Sequence, residues 1–168
     1  MSQLKWTAAL CLVVAAATVA PAAAAEPGVG FRGWGPRVGV SSDPDQVLVG
    51  AQFDLGEFTK NVRWQPSFEL GFGDDKTSLY GNFMAAYYFP VKAPVTPYAG
   101  AQVTAWLFDQ HGHDSHNDFD EGFNAEIGLF ALGGVETKLK GGNRFLAELQ
   151  LGIGDVPNIR VLVGWTFK

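Results

Sequence analysis

The sequence predicts an all-β fold: one closed, antiparallel barrel of eight strands that run up and down in chain order. Three observations predict it. Apolar and polar residues alternate with a period of two through one segment after another. Short runs of Gly, Pro, Asp and Asn separate those segments. No helical period of 3.6 residues stands out anywhere after Glu26.

Taken in order, the first strand is a glycine-rich stretch over residues 34–41. The second sets Val47, Val49, Ala51, Phe53 and Leu55 against Leu48, Gly50, Gln52 and Asp54. The third, over 62–73, alternates most cleanly. Val62, Trp64, Pro66, Phe68, Leu70 and Phe72 share one face, and Arg63, Gln65, Ser67, Glu69, Gly71 and Gly73 share the other. The fourth, over 78–89, carries aromatics on both faces. The fifth, over 97–108, puts Ala99, Ala101, Val103, Ala105 and Leu107 on one side. The sixth, over 122–135, does the same with Phe123, Ala125, Ile127, Leu129 and Ala131, while Phe130 and Leu132 fall opposite. The seventh opposes Phe145, Ala147, Leu149, Leu151 and Ile153 to Arg144, Leu146, Glu148, Gln150 and Gly152. The eighth opposes Ile159, Val161, Val163, Trp165 and Phe167 to Arg160, Leu162, Gly164 and Thr166. Connections fall at 42–45, 56–60, 74–76, 90–95, 109–121, 140–143 and 155–157. Strands of about 9–11 residues are long enough to cross a bilayer at a tilt.

The N-terminus reads as an export signal. Lys5 is followed by an apolar run from Trp6 to Ala20, and Ala23-Ala24-Ala25 is a small-x-small cleavage site. Residues 1–25 are therefore expected to be a signal peptide, and 26–168 the barrel domain. Cys11, the only cysteine, lies inside that run and is preceded by Leu10, which does not suit lipidation. Cleavage would leave about 143 residues without a thiol and with a net charge of about −6, which disfavours nucleic acid as a partner. Only 17% of residues are charged, against a norm of about 25%, while glycine reaches 21 residues and aromatics 13%.

Alternation alone does not say which face is wet, because a soluble barrel buries its apolar face and a membrane barrel turns it to lipid. The polar face here holds Gly, Ser, Thr and Gln with few ions, unlike a solvated exterior. Its side chains are small enough for the narrow bore of eight strands. Aromatics gather at strand ends, as membrane-interface girdles do. Trp64, Phe53, Tyr87, Phe89, Phe145, Trp165 and Phe167 would mark one end, and Phe72, Leu107, Phe108 and Phe123 the other. A transmembrane barrel is thus expected. With its N-terminus in the periplasm, the long connection after strand five would lie outside the cell.

A cleavable signal, eight amphipathic strands and a last strand reading Val161-Leu162-Val163-Gly164-Trp165-Thr166-Phe167-Lys168 resemble the small outer-membrane barrel proteins of the OmpA/OmpX kind. That resemblance implies residence in a bacterial outer membrane, contact with its lipids, and assembly by the insertion machinery that reads a terminal aromatic. Here that aromatic is Phe167, with Lys168 after it.

Eight charged residues take the polar parity: Arg37, Asp54, Arg63, Glu69, Glu126, Arg144, Glu148 and Arg160. They are expected to form a packed polar plug, because buried charges must pair. Arg37 should meet Glu148 at mid-height, with Gly164 between them leaving room. The stretch that begins at Asp109 and ends at Glu121 holds every histidine and five carboxylates, and is the expected place for an extracellular ligand. His111, His113 and His116 are donors of the type that chelates zinc, nickel or copper, but their spacing matches no closed site. His113, Ser115 and Glu126 give a hydrolase alternative, since outer-membrane lipid A deacylases carry a His-x-Ser motif and a downstream Glu. Here His116 interrupts the Ser-Asn pair which that family carries. The expectation is therefore a structural or surface-interaction role with a plugged bore and neither cofactor nor resident metal. A lipid A deacylase-like hydrolase and a narrow porin-like channel are the alternatives.

Overall fold

A computed structural model describes residues 28–73, 76–110, 124–154 and 156–168, so the expected signal peptide lies outside the described residues. Eight strands form one closed antiparallel barrel in which each pairs with its sequence neighbours and β8 closes on β1. They are β1 Val29–Ser42, β2 Gln46–Thr59, β3 Val62–Phe72, β4 Lys76–Tyr88, β5 Val95–Gln110, β6 Asn124–Lys138, β7 Arg144–Ile153 and β8 Ile159–Thr166. A short 3-10 turn, Lys140–Gly142, precedes β7. Closure leaves no open edge, so the strands satisfy their backbone groups along the whole wall.

The strands differ from the sequence expectation mostly at their ends, and each difference has a local cause. β1 begins five residues before 34 because a register shift between Val29 and Gly33 lets the glycine-rich start stay paired with β2. β2 runs on past Gly56, which the sequence marks as a turn. Gly56 sits at φ +82 within an irregular part of the β2–β3 ladder, and the turn itself is at Lys60 and Asn61. β6 starts at Asn124 and continues to Lys138, three residues beyond 135, paired to the end with Arg144 of β7.

The wall has two faces of opposite character. In β3, Ser67 and Glu69 turn inward, each 1% exposed, while Phe68 and Leu70 turn outward at 56% and 45%. The same alternation leaves Val38, Val49, Phe83, Leu129, Leu149 and Val161 exposed on the outside. The interior also holds two apolar clusters. Met84, Ala86, Tyr88, Tyr98, Leu132 and Leu146 form one, and Leu48, Tyr80, Trp106 and Leu162 the other. Tyr88 stacks on Tyr98 at 4.8 Å and Tyr80 on Trp106 at 5.8 Å. These inward rings are why β4 carries aromatics on both faces.

Candidate functional site: an ion network across the bore

Among the described residues, four arginines and four carboxylates of inward parity are ion-paired within the bore. At the centre, the Arg37 guanidinium on β1 donates to Glu148 Oε1 on β7 at 2.9 Å and lies 3.0 Å from Glu69 Oε1 on β3. Arg160 on β8 pairs with the other oxygen of Glu69 and donates to Gln150 Oε1 at 3.3 Å. Its guanidinium also lies over the rings of Tyr80 and Phe130, at 4.6 and 5.3 Å. Planar, delocalised and weakly hydrated, guanidinium suits this setting of forks and ring faces, which accounts for arginine in all four places.

Neutral groups complete the network, as burial of charge requires. The Tyr98 hydroxyl donates to Glu148 Oε2 at 2.9 Å, and Gln150 donates to Glu148 Oε1 at 2.7 Å. Gln102 donates to Asn82 at 3.0 Å, Thr104 donates to Asn82 at 2.8 Å, and Asn82 donates to Ser67 at 3.1 Å. Ser67 accepts from Arg37 at 3.2 Å.

A second group of ions lies toward the end of the barrel that carries the start of β1 and the end of β8, called here the terminal end. Arg63 on β3 grips both oxygens of Glu136 on β6, at 2.8 and 2.9 Å. Arg144 on β7 pairs with Asp54 on β2 and reaches Glu136 at 3.4 Å. Asp54 also accepts the Gly56 N–H at 2.7 Å. Three of these pairs join strands three apart in a ring of eight (β3 to β6, β7 to β2, β8 to β3), so they cross the bore. Their side chains reach across the axis, in keeping with the small radius of eight strands.

Of the charged residues singled out by parity, Arg37, Asp54, Glu69, Arg144, Glu148 and Arg160 are buried in this network, and Arg63 is in it but partly exposed. Glu126 takes the inward parity on β6 but is half-buried and lies outside these ion pairs. Glu136 belongs to the network and is missed by the sequence reading, which ends strand six one residue short of it. Gly164 does not simply leave room for Arg37 and Glu148. It sits opposite Arg37 in register, and the Gln52 side chain fills the space where its Cβ would project, 2.8 Å away. Gln52 from there donates to Thr166 Oγ1 at 2.9 Å.

Outside the wall, Trp64, Phe72, Phe89, Trp165 and Phe167 are exposed. Four edge-to-face pairs ring the terminal end: Trp34 with Phe167, Phe58 with Trp64, Tyr87 with Phe89, and Phe145 with Trp165, at centroid distances of 4.9 to 6.4 Å. At the opposite end Phe72 and Leu107 are exposed. His111, His113, Ser115, His116 and Phe123 lie outside the described residues, as does the side chain of Phe108.

No protein-family model matches the chain, and no curated protein does. Among solved structures, the barrel is similar to Neisserial surface protein A at 19% identity, covering 81% of this chain and 93% of that one with a TM-score of 0.53. It is similar to the de novo designed protein TMB2.3 at 13% identity, covering 84% and 94% with a TM-score of 0.50. These likenesses extend over nearly the whole barrel and concern the fold.

Proposed function

We propose that the chain is a bacterial outer-membrane barrel with a structural or surface-interaction role and a bore closed by its own ions. The observation that carries this reading is the inverted distribution of polarity. An apolar belt encircles the outside while arginines, carboxylates and amides crowd the axis. A soluble protein rarely exposes so large a continuous apolar surface, whereas a lipid-embedded barrel requires one. The fold it shares with a neisserial surface protein accords with that position. In this reading residues 1–25 direct export and are removed, and outer-membrane lipids surround the belt. The insertion machinery reads β8 and Phe167, and the connection between β5 and β6 meets an external ligand.

The crossing ion pairs speak against the channel alternative. No observation of the described residues favours the hydrolase alternative, whose His113 and Ser115 lie outside them. Cell-envelope fractionation tests the location. The account expects the chain in the outer-membrane fraction, migrating differently on gels with and without heating, and recovery in the soluble fraction contradicts it. Planar-bilayer recording tests the closed bore: discrete conductance steps contradict it, and their absence is expected.

A further inference from the structure

We propose that the mouth of the barrel at its terminal end is a binding site for a phosphate-bearing anion. The register shift between Val29 and Gly33 re-aims the start of β1, as bulges do, and brings Arg32 across the mouth beside Gly56. Gly56 is required there. Its φ of +82 suits glycine, and a Cβ would meet the Gly28 carbonyl oxygen at 2.3 Å and the Arg32 side chain at 3.2 Å. The result is a cavity of about 530 Å³, within the usual range for small-molecule sites, lined by the Arg144–Asp54 pair and by Arg63, whose own partner Glu136 lies outside the lining.

Its charge is lopsided. Arg32, Lys138 and Lys168 line it together with Arg63 and Arg144, the last two paired with Glu136 and Asp54, and Glu57 is the other side-chain carboxylate of the lining. Asp54 is already committed to Arg144 and the Gly56 N–H, while Glu57 accepts a long bond from the Asn61 N–H at 3.4 Å. The cations are less occupied. Arg32 donates to the Gly28 carbonyl at 3.1 Å, no acidic partner meets Lys138 or Lys168 among the described residues, and the buried Arg144 Nε–H has no acceptor. A concave mouth that gathers cations without acidic partners concentrates positive potential. A guanidinium fork beside ammonium groups matches a multiply charged tetrahedral anion better than a single carboxylate. The aromatic girdle sits on the outer wall at this same end, so the phosphate can come from a soluble molecule or from the headgroup of an anionic phospholipid.

The inference goes beyond the outer-membrane reading and does not depend on it, because it rests on the residues that line the mouth. The test is calorimetric titration of inorganic pyrophosphate into the full chain in a neutral detergent at low salt. The proposal expects a Kd below about 1 mM, weakened at least about tenfold by R32Q/K138Q. The double variant K60Q/K92Q, which removes cations of the same end that do not line the cavity, should change it less than about twofold. Both pairs are surface substitutions, and gel mobility with and without heating checks that each variant is folded. In nanodiscs, competition by phosphatidylglycerol but not phosphatidylcholine assigns the phosphate to a headgroup, and its absence assigns it to a soluble molecule. No saturable binding below about 1 mM, or equal losses in both double variants, overturns the proposal.

Discussion

Arg37 on β1 and Glu148 on β7 lie 111 residues apart in sequence and meet at 2.9 Å inside the barrel, both nearly inaccessible to solvent. The contact ties together the two strands that flank β8, at the seam where the barrel closes.

Because both charges are buried, removing one should cost far more than the pair itself is worth. E148Q is expected to destabilise the folded barrel by about 3 kcal/mol, since it leaves the buried Arg37 guanidinium with Glu69 as its one carboxylate partner, which Arg160 shares. R37M/E148L, which removes both charges, should recover much of that loss. Denaturant unfolding of the detergent-folded barrel, followed by tryptophan fluorescence, measures both. Equal loss in the single and double variants would show that the pair is not coupled.

The second prediction concerns the close fit of Gln52 against Gly164. Leucine at 164 would drive Gln52 from Thr166 and overfill the bore, for an expected cost of about 3 kcal/mol. V163L, one residue away on the outer face, should cost less than about 1 kcal/mol. The same unfolding assay compares the two, and similar losses would mean that the bore tolerates side chains the packing says it cannot.

Arg160 provides a third. It binds Glu69 and Gln150 through separate groups while lying over Tyr80 and Phe130. Lysine keeps the charge but has neither a planar face nor a fork. R160K is therefore expected to lose about 2 kcal/mol or more, measured as a shift of the unfolding midpoint. An unchanged midpoint would reduce Arg160 to a point charge.

The sequence carries the fold through a single periodicity, and its failures follow from where that periodicity breaks. In β3, β7 and β8 alternation is nearly unbroken, so strand, face and inward charge are all readable. At Gly33 and Gly56 the ladder shifts without ending, which makes strand look like turn and hides the redirection of Arg32 into the mouth. Phe130, Leu132, Tyr80 and Tyr88 blur the pattern because a narrow bore is filled by rings as well as by ions. Parity can list the charges that point inward but cannot pair them. That Arg63 takes Glu136 while Arg144 takes Asp54 depends on barrel tilt and stagger, which no single strand encodes. The hydrogen-bonded amides Gln52, Gln102 and Gln150 are legible as polar but not as partners.

The central claim is that the exposed belt faces hydrocarbon, and spin labels placed on it test this most directly. Single cysteines would be labelled at Phe83, Leu129 and Val161, in a background whose only native cysteine, Cys11, is replaced. In lipid bilayers the account predicts that molecular oxygen, which partitions into acyl chains, reaches all three labels readily, while a water-soluble nickel chelate reaches none. Ready access of the nickel chelate to these positions in the folded barrel would contradict it.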